Sequence, residues 1–292
     1  MPSLKQLNQH YQFSMEMHEL VQATQEITVM KIQKVRQSAL ETRKYMEGIF
    51  DIFYDVKSAE RQMIQKLLEQ RGRKRQEIDE ETNKKKSVIV FISTNQLFTG
   101  DIIAKVFHIF AEEVRKETSE IVIIGKIGKR LFEQAFGDTY HFLYSEISIS
   151  HPEPELLKPL VSTLLQYQRI DIFEGKYVSL VDQRPVTVNI SGETSLMEER
   201  SGAAESKRKF LFEPSLENIV TFFETQITAT LFRLTLDESR LANLGSRITT
   251  LESSLNNLER EVTILERRRK VLARGIQNRK QLQRLASISC WT

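Results

Sequence analysis

The residues able to do chemistry in this 292-residue chain fall into three groups, and spacing removes two of them. The first is "GKIGKR", Gly125 to Arg130, which follows an apolar run and invites a phosphate-loop reading. Such a loop needs G-x-x-x-x-G-K-[ST], because backbone N–H groups cradle the phosphates and a hydroxyl meets the metal ion. Ile123 occupies the first glycine's place and Arg130 follows Lys129. Gly125 and Gly128 are therefore read as the residues that let a strand turn tightly into a helix. No G-x-G-x-x-G follows "SVIVFIS" either. The second group is the five histidines, scattered without metal-ligand spacing. His108, beside Phe107 and Phe110, is expected in a core, and Met15, Met17 and Met30 are expected to pack. No Ser/His/Asp or Cys/His arrangement can be argued. No catalytic residue, cofactor or metal ligand is assigned, and the chain is not expected to be an enzyme.

The third group is cationic. In "LERRRKVLARGIQNRK", Leu265 to Lys280, apolar residues recur every three or four positions, which is a helical pattern. Residues 216–266 hold eight acidic and four basic residues, whereas from Arg267 onward there are eight basic and no acidic ones. Arg and Lys near a helix C-terminus complement the helix dipole by about 0.3–1 kcal/mol, which accounts for two or three charges and not for eight. A basic helix can also neutralise phosphates, but no aromatic residues interleave this run for base stacking. No nucleic-acid partner is assigned on that basis.

The elements that must carry these cations come in three parts. Formal net charge is only +3 with 28% charged residues, so the whole chain names no polyanionic partner. A single cysteine, Cys290, excludes an internal disulfide framework and fits a reducing compartment. No apolar run approaches the roughly 18 residues of a spanning helix. "MPSLKQLNQH" shows neither a signal-peptide core nor an Arg/Ser-rich transit segment, so a cytosolic or membrane-peripheral protein is expected.

Residues 1–80 read as a long helix with Leu4, Leu7, Tyr11, Leu20, Val21, Ile27, Ile32, Val35, Ile49, Phe53, Val56 and Met63 on one face. "RGRKRQEIDEETNKKKS" follows as a charged connector. Residues 87–192 alternate strands ("SVIVFIS", "EIVIIGKIG") with amphipathic helices ("DIIAKVFHIFAEEVRKE", "KRLFEQAF", "PELLKPLVSTLLQYQ"). "DIFEGKYVSLVDQRPVTVNI" reads as an antiparallel edge hairpin. That order predicts a small Rossmann-like α/β domain with a mainly parallel sheet. Residues 193–212 form a Gly/Ser/charged linker. In residues 213–292, Ile227, Leu234, Leu241, Ile248, Leu255 and Val262 make one heptad row. Leu244, Leu251, Leu258, Leu265 and Leu272 make the second, which is a coiled-coil pattern. Its seam can be filled by the N-terminal helix, as an antiparallel coiled coil, or by a second copy of itself; a homodimeric adaptor or nucleic-acid-binding scaffold would use the latter.

Long helix, α/β domain, long helix: in this order and these lengths the chain resembles the gamma subunit of F-type ATP synthases. "IVIIGKIGKRLF" is similar to that family's apolar run followed by G-[RK]-K-G, matching at Gly125, Lys126 and Gly128. "KRKFLFEPSLE" resembles the entry to its last helix, with Glu213 and Pro214 on a Glu-Pro. "ETQI", Glu224 to Ile227, and Glu238 in "LDES" also match. "TQEIT", Thr24 to Thr28, resembles N-T-Q-K-I-T but only with deletions. A gapless register places Ala23, Lys31, Arg43, Tyr45 and Glu47 on the family's Ala, Lys and R-P-Y-A-E positions. With its departures the chain looks like a divergent paralogue of that family. "STNQLFTGD" keeps only Ser93, Leu97 and Gly100 of S-D-R-G-L-C-G-G. The paired small residues of the first helix become Thr28 and Val29. Leu241 to Ser246 replaces A-R-M-x-A-M. Near the end, only Arg268 is kept of R-Q-x-x-I-T-x-E.

The resemblance implies a non-catalytic central stalk turning inside a ring of alpha and beta subunits, coupling rotation to catalysis on beta and to ion flow through a membrane ring of c-type subunits. It implies Arg267, Arg268, Arg269, Lys270 and Arg274, with Lys31, Lys34 and Arg36, as cations opposing an acidic lever on beta. It also implies contacts of an epsilon-like subunit and the ring with the α/β domain and with loops around Gly48 and Ser206 to Phe212, including Lys207 and Lys209. The location implied is peripheral, on the cytoplasmic face of a bacterial cell membrane, with no direct membrane span.

Overall fold

The computed structural model describes residues 3–59, 87–96, 99–116, 119–146, 154–191, 213 and 215–289. The connector before Ser87, the linker at 193–212 and Cys290 lie outside the described residues, and so do Lys207, Lys209 and Met63.

The first helix, α1, runs Leu4–Ala59. It opens on a reciprocal cap. The Gln6 amide N–H donates to Ser3 Oγ at 3.3 Å, and the Ser3 N–H donates to Gln6 Oε1 at 2.9 Å. This satisfies donors that the first helical turn leaves without partners. Its buried residues differ from the apolar count. The seam is the row Leu7, Ser14, Thr28, Val35, Thr42, Ile49 and Val56, all buried, with half-buried Val21 completing a strict seven-residue repeat. Ile32, Ala39 and Phe53 belong to the companion row. Leu20 and Ile27 fall outside both rows and stay exposed, as does Met30. Small hydroxylated residues hold the seam because Thr28 and Thr42 return their hydroxyls to the carbonyls of Thr24 and Ser38, at 2.8 and 3.0 Å. Only methyl groups then need burying.

The last helix, α5, spans Leu216–Ser289 and starts on Ser215, whose Oγ accepts the Asn218 N–H at 3.3 Å. The chain divides into two compact units, Met1–Met30 with Arg247–Thr292, and Lys31–Ser246. In the first unit, Arg269 lies over the Tyr11 ring, His18 meets Glu259, and Gln25 donates to Glu252 at 2.6 Å. Position numbers fall on α5 as they rise on α1, so the pair is antiparallel. In the second unit the same order recurs: Ser38 with Asp237, Arg43 with Glu238, Phe53 against Phe223. The seam is thus filled from within the chain and not by a second copy.

Between these helices stand β1 (Ser87–Ile92), α2 (Ile102–Lys116), β2 (Glu120–Ile124), α3 (Lys126–Phe136), β3 (Phe142–Ser145), α4 (Pro154–Leu164), β4 (Arg169–Tyr177) and β5 (Gln183–Asn189). The five strands form one sheet in the order β3-β2-β1-β4-β5. All neighbours are parallel except β4 and β5. The hairpin read from the sequence exists, but β4 also pairs with β1, so β5 alone of the two is an edge. Strand β3 escapes the sequence reading because it is four residues long and lacks a buried apolar run.

Both faces of the sheet are covered, as a parallel sheet requires. Val88, Val90, Ile92, Ile170 and Ile172 pack under α4 and under Phe232 and Leu236 of α5. Ile89, Phe91, Ile123 and Phe173 pack under α2 and α3, with Ala242 of α5. Each fully buried side chain of this kind contributes about 1.5–3 kcal/mol. His108 is not among them: its side chain is exposed, and it faces Glu112 one turn on.

Candidate interaction surfaces

The glycine-rich turn after β2 is closed by the chain itself. Ser93, at the end of β1, donates from Oγ to the Ile124 carbonyl at 2.8 Å and accepts the Gly128 N–H at 2.8 Å. The Ile127 N–H donates to the Thr94 carbonyl and the Lys126 N–H to Asn95 Oδ1 at 2.7 Å. Three of the N–H groups that would cradle a phosphate at the start of α3 are therefore occupied. A Cβ on Gly125 would meet the Thr94 nitrogen at 2.9 Å, and one on Gly128 would meet Ser93 Oγ at 2.6 Å. The glycines serve close packing of two loops. Ser93 is the turn-closing residue the composition could not flag; its signal was being one of three residues kept in the altered "STNQLFTGD".

In an open parallel sheet, ligands enter the crevice beyond the strand ends where the connections reverse direction, here between β1 and β4. That crevice is filled by α5. The space beside Gly175 holds Ile102 and Ala242, and the space beside Gly245 holds Gln183 and Tyr177 of the hairpin. Gly245, costly in a helix interior, leaves room for these two side chains, whose atoms an added Cβ would meet at 2.9 and 3.2 Å. Among the described residues no group of three His, Cys, Asp or Glu is placed to hold a metal ion.

The cations of the first unit are arranged differently from one another. Arg267, Arg268 and Arg274 are exposed, and among the described residues no carboxylate lies in ion-pair range of them. Lys270 is paired with Glu266 at 2.6 Å, and that pairing holds the Glu266 carboxyl below its ordinary range. Arg269 occupies the seam position expected to be oily. Its guanidinium lies 4.4 Å from the Tyr11 ring centroid, so a planar cation replaces an apolar knob by stacking on an aromatic one. We expect Arg269→Ala to cost about 0.5–1 kcal/mol in a urea-unfolding experiment, with most of the loss absent when Tyr11 is already leucine.

In the second unit, Lys31, Lys34 and Arg36 are exposed on α1. Arg43 is engaged, with its Nη2 on Glu238 Oε1. Asp237 accepts from Ser38 Oγ at 3.3 Å. Burial pushes the Asp237 carboxyl up, while Ser38, Arg233 and Arg240 pull it down. Gly48, expected in a loop, lies inside α1 with open space around it.

Two long helices, antiparallel in each unit, and a small mixed sheet with its ligand crevice filled from within define a class: a helix-pair protein carrying a Rossmann-like domain. The ATP synthase family model, that of the gamma subunit, matches residues 3–270, and the chain belongs to this family of central-stalk rotor subunits. Among solved structures, the chain is similar to a subunit of the Euglena gracilis mitochondrial ATP synthase OSCP/F1/c-ring assembly. Identity is 15%, coverage 98% of this chain and 94% of that one, and the TM-score 0.62. A chain in the Euglena rotor structure gives 15% identity, 94% and 98% coverage and a TM-score of 0.57. One in the Tetrahymena thermophila mitochondrial central stalk and c-ring gives 12%, 80% and 99%, and 0.52. No curated protein matches the sequence. Among the described residues no helix is long and apolar enough to cross a membrane.

Proposed function

We propose that the chain transmits rotation between a membrane ring of c-type subunits and the catalytic beta subunits of an F-type ATP synthase or ATPase, performing no bond chemistry itself. The observation that carries this reading is the exposed cationic face of α5: Arg267, Arg268 and Arg274 are directed to solvent, and among the described residues no carboxylate lies in ion-pair range of them. Such a face fits an acidic lever on a neighbouring subunit, because guanidinium groups hold carboxylates bidentately. Contacts of this kind, screened over about 8–10 Å by salt, can be broken and remade as the shaft turns. Lys31, Lys34 and Arg36 offer a second set on α1. Arg269 and Lys270 act differently: one is stacked in the seam and the other is held by Glu266, so they support the helix face before they meet a partner.

The α/β domain and the segment holding Lys207 and Lys209 then meet an epsilon-like subunit and the membrane ring. The shaft works from the surface of a coupling membrane, which in a bacterial cell is the cytoplasmic face. No nucleic acid is required.

Reversing Arg267, Arg268 and Arg274 to glutamate tests the reading. ATP hydrolysis by the complex is expected to lose its coupling to rotation, or the ring to fail to assemble on the shaft. Far-ultraviolet circular dichroism and the urea midpoint of the isolated chain should stay within about 0.5 kcal/mol of the parent, as for surface substitutions. Normal assembly and coupling in the reversed variant would overturn it.

A further inference from the structure

One buried acid has no role in the packing or the proposed contacts. Glu174 lies on β4 in the row of Ile170 and Ile172, side chains that face Phe232 and Leu236 of α5. It continues that row into the place where α5 presents Glu238. It is 3% exposed, and its Oε2 has no hydrogen-bond partner. A buried ionised carboxylate without a partner costs several kcal/mol, so the site as built suits a neutral acid. Its surroundings agree. Lys176, two residues along β4, is exposed. On α5, Glu238 is held by Arg43 of α1, and Asp237 is held by Ser38. Arg233 and Arg240 act on Asp237. On β5, the residue opposite Glu174 is Val186, and Arg184 is already paired with Asp182 at 2.8 Å. On α2, Lys105 is paired with Asp101 at 2.6 Å. Among the described residues no cation lies in ion-pair range of Glu174.

We propose that Glu174 is a proton-binding site that holds the junction of α1, β4 and α5 together: with its proton the junction closes, and without it the junction loosens. Burial first, and the like charge of Glu238 second, hold the Glu174 carboxyl well above the usual carboxylate range, while Lys176 opposes them weakly. The sign follows. When the junction opens, Glu174 meets water and releases its proton near the ordinary carboxylate pKa of about 4.3. Closed, it keeps the proton. Stability from this site is therefore complete below the ordinary value and declines as pH rises toward the raised one.

Hydrogen exchange on the full-length chain tests this, read on peptides covering Arg43 and Glu238 across about pH 6 to 9 and corrected for intrinsic rates. Where opening exposes Glu174, protection in the parent should fall by up to about tenfold per pH unit, one proton being released. In Glu174→Gln, which keeps the shape and removes the titration, it should be flat and higher throughout. Infrared difference spectra supply the second readout: the parent should show a protonated carboxylic-acid band at neutral pH that Glu174→Gln lacks. In Glu238→Gln that band should persist and disappear at lower pH than in the parent, because the like charge has gone. Parallel protection profiles in the parent and Glu174→Gln, or no acid band at neutral pH, would overturn the proposal.

Discussion

Replacing Phe53 with alanine is expected to lower the stability of the chain by about 3–5 kcal/mol, the largest loss from any single side chain on α1. Phe53 is fully buried, its ring 5.3 Å from that of Phe223, and it shares a cluster with Ile49 and Ile227. Here the helices meet through large side chains, so truncation leaves a cavity that two long rigid elements cannot collapse around. Upstream the seam is lined by Thr42, Ala39 and Ser38, which offer no spare bulk to fill it. Phe53→Leu should lose less than about 1.5 kcal/mol, because volume is largely kept. The urea midpoint of the full chain reads both, and hydrogen exchange should localise the Phe53→Ala loss to α1 around Ile49 and α5 around Phe223. A loss below about 1 kcal/mol would show that this pairing does not hold the two helices. Under the function proposed above, the variant should also couple poorly in the assembled complex, because a helix pair with a loosened clamp twists before it turns.

Gly125→Ala is expected to cost about 3–5 kcal/mol, from strained backbone at roughly 1–3 kcal/mol and overpacking of similar size. Its φ is +96°, and the new Cβ would lie 2.9 Å from both the Ser93 carbonyl carbon and the Thr94 nitrogen. Those are backbone atoms fixed by the Ile127 to Thr94 hydrogen bond, so nothing flexible can give way. Gly48→Ala is the matched control. Gly48 is helical and exposed, with nothing within 4 Å of the added carbon, and the change should stabilise by about 0.5–1 kcal/mol. Thermal unfolding of the full chain distinguishes them. Near-equal effects would mean that the turn after β2 is looser than its hydrogen bonds require.

Much of the architecture was readable from pattern. The β-branched runs at Val88 and Ile121 could only be strands buried on both faces, and the leucine rows of α5 could only be a seam. The rows of α1 were misread because the rule of counting apolar residues fails where the neighbour is close. Ser14, Thr28 and Thr42 are polar by type, yet all three are buried; at Thr28 and Thr42 a hydroxyl bonded to its own helix leaves only a small apolar surface. Leu20 and Ile27 looked like seam residues and are exposed, being out of step with the seven-residue repeat. The cationic run was also visible, but not its division of labour. That Arg269 would stack on Tyr11, 258 positions away in sequence, while Arg268 stayed exposed, depends on the antiparallel register.

By itself the sequence determined the element types, the long helical pattern at both ends, the mainly parallel sheet and the reversal of charge at Arg267, because each follows from periodicity or composition within a local window. Tertiary structure decided which partner fills the seam, that α5 occupies the crevice beyond β1 and β4, that Ser93 closes the glycine turn, and that Glu174 is buried near Glu238 with its Oε2 lacking a hydrogen-bond partner. Those outcomes join residues from distant parts of the chain, and only packing sets the distances on which hydrogen bonding and burial of charge depend.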